Sequence, residues 1–307
     1  MFSVNSSQFN NITTHDLNKL EEGLLTFVNA IIVIFGIAGN TFVLHASVVY
    51  NAIKMDKISV AFIRNIAFAD ICIASFGYGP SLITLITRKW VLGKAICYIT
   101  GSLQQVPCSS EILLMAVLSA YRFWALKTPA AVRERIPRMH VNILIALLWG
   151  IPLCFLLVFI LIDLKVFYDP DLFSCTPKEL ESHMWLNGVA SMLLGLVPFI
   201  VIIVSNVGII VLIVYYSKQV GASQMINKNT TITLLYISVV FIVSYTPYFV
   251  FIFMDSNAMV IERWFSLVKW YIIALNCLMN PFIYYLTNET FAKYVRVRLL
   301  KRVDRVP

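Results

Sequence analysis

Two carboxylates stand deep inside apolar runs of this 307-residue chain, where a charged group is costly to hold. Asp70 follows Ser59 by 11 residues, about 16 Å of helical rise. Glu111 precedes Arg122 by 11 residues, again about 16 Å. At such depth each must face a protein interior and find partners there, and the intramembrane amides Asn40, Asn276 and Asn280 could supply them. Two kinds of chemistry fit these residue types: a hydrogen-bonded cluster that only joins helices, or a site that holds a proton or a cation. A thiol and a guanidinium mark a second axis. Cys97 and Arg122 lie 25 residues apart, about 37 Å on a helix. That is the hydrocarbon core of a bilayer with a little of each interface. A thiol able to cross-link belongs on the oxidising face, and an arginine flanked by more basic residues on the cytoplasmic one. No loop pairs a nucleophile with a base, so an enzyme is not expected. The six cysteines include no CxxC pair, which argues against zinc.

Composition places these groups in a membrane. The chain is 59% hydrophobic and 13% charged, against about 25% charged in soluble domains. Seven apolar runs long enough to span lie near 24–49, 59–86, 95–121, 141–162, 186–216, 231–254 and 266–286. The expected fold is an all-α membrane protein, a seven-transmembrane helix bundle with a short amphipathic C-terminal helix. Residues 1–23 form a polar tail, 24–286 the bundle, and 287–307 the amphipathic helix and tail, in which basic and apolar positions interleave for contact with membrane lipid. Fifteen Lys and Arg residues fall at one set of loops and eight at the other, so the N-terminus is expected outside and the C-terminus inside. The net charge of +8 is therefore an orientation signal, and nucleic acid is not an expected partner. With the tail outside, Asn5 and Asn11 head plausible glycosylation sequons. Cys97 and Cys175 are the cysteines expected in outer positions, and a bridge would tie loop 163–185 over the third run. The other four cysteines read as small buried residues.

An ordered set of motifs carries a resemblance. It consists of Gly39-Asn40, Asn65 with Ala67-Phe68-Ala69-Asp70, Trp90-Val91-Leu92-Gly93, Cys97, Arg122 with Pro129, Trp149, Pro198, Pro247, and Asn280-Pro281-Phe282-Ile283-Tyr284 followed by Phe291. From Gly39 to about Phe291 the chain resembles the rhodopsin-like (class A) G-protein-coupled receptors. The resemblance implies a plasma-membrane receptor that passes an extracellular signal to a heterotrimeric G protein through Arg122 and Tyr284. It places Asp70, Glu111 and the amides on one buried water and sodium-ion pocket, with the metal at Asp70. Two carboxylates sharing a poorly hydrated site cannot both ionise cheaply, so the pair is expected to hold a proton or share a cation. Tyr245, Pro247 and Pro281 take switch positions, since a proline frees a carbonyl and kinks a spanning helix.

Four positions depart from the family pattern. Tyr121 replaces the acidic residue before the arginine, and Asn227 and Lys228 stand where a glutamate often pairs with it. Arg122 is therefore expected to be weakly restrained at rest. Tyr245 replaces a tryptophan, and Glu111 a small residue. The resemblance also narrows the ligand. Amine receptors carry an aspartate at the position of Gln104, and opsins a retinal-binding lysine at that of Ala274, so a non-amine ligand is expected. Gln104, Gln105, Tyr248 and Lys269 are candidates to line the outer pocket. The alternatives are an opsin-like light sensor lacking the usual lysine, and a proton-coupled transporter using Asp70 and Glu111.

Overall fold

Apolar runs with no water to satisfy their backbone must close their hydrogen bonds internally, and in this computed structural model they do so as helices. The structure describes residues 18–49, 55–128, 135–177, 183–220, 228–255 and 263–303. Helix α1 is Lys19–Val49, α2 Lys57–Thr87, α3 Gly93–Lys127 and α4 Arg138–Leu161. Helix α5 starts at Met184 and runs on through Val197–Val220, α6 is Lys228–Asp255, α7 Arg263–Thr287 and α8 Glu289–Val303. Among the described residues, six helices are long and apolar enough to cross a membrane. Helix α7 is 25 residues long and turns Asn276 and Asn280 inward.

Local chemistry sets the ends. Helix α1 starts five residues before the expected 24 because Asn18 and Glu21 form a capping box: Glu21 N donates to Asn18 Oδ1 at 2.9 Å and Asn18 N to Glu21 Oε2 at 3.1 Å. Asp56 caps α2, its Oδ1 accepting from Ser59 N at 3.0 Å. Helices α2 and α5 each contain a π turn, at Ala74–Tyr78 and Met192–Leu196. Each turn closes just before a proline, Pro80 or Pro198, whose missing N–H breaks the ordinary ladder and leaves a carbonyl to be satisfied by wider winding.

Helix α3 is the axis, touching α2, α4, α5 and α6, while α1 and α7 close the bundle against α2. The main apolar core surrounds its middle, with Leu114, Met115 and Leu118 against Phe62, Ile63, Ile202 and Phe241. Large apolar side chains remain exposed around the outside, notably along α4 and α5, as lipid contact requires. Of the four unbridged cysteines only Cys277 is buried; Cys72 and Cys108 are half-buried and Cys154 is exposed, because α4 turns most of its surface outward.

Loop 163–185 holds an element absent from the expected all-helical fold. Strands β1 (Val166–Asp169) and β2 (Ser174–Pro177) pair antiparallel, with Tyr168 opposite Cys175. Their turn is organised by Asp169 Oδ1, which accepts from Asp171 N and Leu172 N. Gly101 on α3 faces this hairpin, and a Cβ there would lie 2.6 Å from Val166 and 2.9 Å from the Cys175 carbonyl. Gly101→Ala is therefore expected to lower thermal stability by about 1–3 kcal/mol through overpacking. A melt of purified protein checks this, and an unchanged midpoint would show that the hairpin yields freely.

Candidate functional site

The groups that could do chemistry gather at three levels along α3. At mid-height, Asp70 and Glu111 are both buried, at 0% and 1% exposure, and lie within hydrogen-bonding reach of each other. Asn280 Nδ2 donates to Asp70 Oδ2 at 2.9 Å. On the far side, Tyr245 donates to Glu111 Oε2 at 3.2 Å, its ring stacked on Phe241. The hydroxyl thus occupies α6 next to Pro247, joining the switch position to the carboxyl pair. Asp70 Oδ1 and Glu111 Oε1 have no protein donor. Carboxylates only accept, so two of them in contact need a proton between them or a cation beside them. These unpartnered oxygens fit either occupant. Asn40 and Asn276 are buried too, but Asn40 spends its donor on Cys277 O at 2.8 Å, tying α1 to α7, and Asn276 Nδ2 is left without a partner. Gly39 lets α1 approach Pro281, since a Cβ would lie 2.9 Å from its ring.

At the end of α3 that carries Arg122, the guanidinium is buried, its side chain 6% exposed. The expectation of a weakly restrained arginine is corrected here. Arg122 Nη2 lies 2.7 Å from Asp56 Oδ2, at the start of α2. The approach is an ion pair by distance and is not aligned as a hydrogen bond. Tyr121 does not substitute for an acid; its hydroxyl donates to Asp56 Oδ1 at 3.0 Å. Burial alone would raise the Asp56 carboxyl, but Arg122, the Ser59 N–H and the Tyr121 hydroxyl together hold it below its ordinary 3.8. Arg122 also lines a narrow cleft between α3, α5 and α6 with Ser119, Asn206 and Thr231. Tyr284 is buried nearby in the same core, edge-on to Phe291 of α8. Asn227 lies outside the described residues, as does the side chain of Lys228.

At the opposite end, Cys97 and Cys175 form a disulfide with Cα atoms 5.3 Å apart. It fastens the hairpin to α3 within an apolar cluster that includes Trp90 and Tyr168. Leu172 and Phe173 at the hairpin turn pack against Leu85 of α2 and Leu267 of α7, and Ser81 donates to Leu172 O at 3.1 Å. Of the proposed outer-pocket residues, Gln104 is buried and its Nε2 reaches Cys175 O at 3.5 Å, Tyr248 is half-buried, and Gln105 is exposed. The side chain of Lys269 and the sequons at Asn5 and Asn11 lie outside the described residues.

The 7 transmembrane receptor (rhodopsin family) model matches residues 39–284. The somatostatin receptor type 2 of Sus scrofa is 25% identical over 95% of this chain and 81% of its own length. The melatonin receptor type 1B of Rattus norvegicus is 22% identical over 80% of this chain and 70% of its own. Among solved structures, squid rhodopsin superposes with a TM-score of 0.75 at 16% identity, covering 95% of this chain and 88% of that one.

Proposed function

We propose a function from one premise: the chain belongs to the rhodopsin family of 7 transmembrane receptors. It is a multi-pass membrane receptor and not an enzyme, and partners of the family's general kind, a ligand and a G protein, come with that membership. We infer that it sits in the plasma membrane with the N-terminal tail outside, that residues 24–286 form the transducing bundle, and that 287–307 lie on the inner surface against lipid. The ligand it answers is not a cationic amine. The observation that carries this is Gln104, a neutral amide buried beneath the disulfide and hydrogen-bonded to Cys175 O. A buried ammonium would need a carboxylate there. The relatives include receptors named for melatonin, somatostatin and tachykinin-like peptides and, over less than half of the chain, an adrenergic and a tyramine receptor, so the family match alone leaves the ligand open.

Signal would pass down α3, which carries Gln104 near one end, Glu111 in the middle and Arg122 at the other. Asp70 and Glu111 hold one shared proton at rest, and Asp70 is the residue that would receive a sodium ion once that proton leaves. Arg122 and Tyr284 present the inner surface to a heterotrimeric G protein. The test is a ligand screen on cells expressing the chain, read with several G-protein reporters. A non-amine compound should evoke a response that Arg122→Ala reduces to background at matched surface level. A response driven only by monoamines would overturn the ligand assignment, and a full response from Arg122→Ala would overturn the coupling route.

A further inference from the structure

We propose that Asp56 is the restraint that holds the Arg122 guanidinium at the start of α2 at rest, with Tyr121 positioning the Asp56 carboxyl for that task. The proposal rests on the receptor reading above and names the regulation of its inner surface.

Asp56 serves two helices through two oxygens. Oδ1 accepts from Ser59 N at 3.0 Å, which caps α2, and from the Tyr121 hydroxyl at 3.0 Å. Oδ2 is left to face Arg122 Nη2 at 2.7 Å. The capping bond and the tyrosine bond fix the carboxylate plane, so its second oxygen is aimed without further cost in side-chain freedom. The guanidinium is nearly sequestered, with a side chain 6% exposed, while the carboxylate side remains 29% exposed. The arginine is therefore the more desolvated member, and the nearby carboxylate offsets part of that cost. Arg122 already lines the narrow cleft with Ser119, Asn206, Thr231 and Ser238, so these polar side chains are its neighbours on the side away from Asp56. The Asp56 carboxyl is held below 3.8, so the pair keeps its charge at any physiological pH, and the restraint yields to conformational change and not to acid.

The geometry permits a substitution that separates restraint from structure. Asn is as good an N-cap as Asp. Asp56→Asn keeps the oxygen that caps α2 and replaces the oxygen facing Arg122 by an uncharged atom or group. Tyr121→Phe keeps the ring, which packs at 6.0 Å from Trp124, and removes only the hydroxyl that aims the carboxylate. Two readouts are taken. The first is ligand-independent G-protein signal at matched surface level. The second needs no G protein: the rate at which phenylglyoxal modifies Arg122 in purified protein, followed by peptide mass mapping. Asp56→Asn should raise the ligand-independent signal about tenfold while the active fraction is small, and Arg122 should react several-fold faster. Tyr121→Phe should move both readouts the same way by less. Asp56→Glu, which restores the charge, should return toward wild type. Equal modification rates in wild type, Asp56→Asn and Tyr121→Phe would overturn the proposal. If Asp56→Asn does not fold, an unchanged Arg122 rate in folded Tyr121→Phe overturns it and a raised one supports it. Faster modification with no signal from wild type or any variant would support the restraint and refute G-protein coupling, so the two ideas fail separately.

Discussion

Cys97→Ser and Cys175→Ser should each reach the cell surface at a small fraction of the wild-type level, and Cys97→Ser/Cys175→Ser should be no worse than either alone. The bridge closes a sequence separation of 78 residues and holds the hairpin on α3. Loss of such a bridge costs about 2–5 kcal/mol, comparable to the whole stability of a marginal domain. Both cysteines are nearly inaccessible, at 2% and 0% exposure, so replacement also puts a hydroxyl into an apolar cluster. The double variant separates these effects. If the bridge carries the loss, breaking it a second time costs little; if packing carries it, the two losses add. Surface labelling together with a thermal melt decides the matter, and additive losses would reduce the disulfide to a minor contributor.

The second large effect concerns Glu111→Gln. On the proposed reading, acid keeps the shared proton between Asp70 and Glu111 in wild type, and the pair carries one charge. Rising pH removes that proton, leaving two adjacent carboxylates whose repulsion only a cation can offset. Sodium should therefore influence wild-type signalling more strongly as pH rises, with up to about tenfold change in the protonated fraction per pH unit. Gln keeps the shape of Glu and its acceptor for the Tyr245 hydroxyl, and its amide can donate to Asp70. It removes the titrating partner, so the sodium response of Glu111→Gln should lose its pH dependence. A pH and sodium series on both proteins at equal surface level is the measurement. Identical profiles would make Glu111 a permanent hydrogen-bond donor with no part in switching.

Much of the architecture is written in the sequence as length and hydropathy. The seven apolar runs became helices because a segment in lipid has few other choices, and their disagreement with the structure is confined to ends. Lys127 extends α3 beyond the expected 121, and Asn18 and Glu21 start α1 early through a capping pair that hydropathy does not register. The hairpin escaped notice because strands of four residues carry almost no periodic signal. Asp70, Glu111 and Asn280 were legible as costly groups at matching depth, and the structure brings them together. Asn40, equally costly by sequence, instead serves a backbone carbonyl. Depth along a helix can be counted, whereas the direction a short amide takes depends on its neighbours. Gln105 illustrates the same limit: it is adjacent to Gln104, yet one step on a helix separates buried from exposed. Asp56 was missed because its partner is 66 residues away and no motif joins them. The one available sign was an aspartate three residues before Ser59 at the start of an apolar run, which marks a helix cap and gives no hint of an arginine.

The π turn in α2 divides that helix into two pieces with separately set azimuths. Each residue of an α-helix advances the chain by about 100°, so one extra residue in a single turn re-aims everything beyond it by a comparable angle. Asp70 stands before the turn and faces Glu111; Ser81 and Leu85 stand after it and face the hairpin and α7. A straight helix would link these two orientations rigidly, and any change in which residues met the hairpin would rotate Asp70 away from Glu111. With the turn between them, the half that meets the hairpin and the half bearing Asp70 are aimed separately. The wider winding is thus a joint, at which one helix serves two sets of neighbours whose directions a straight rod could not both meet.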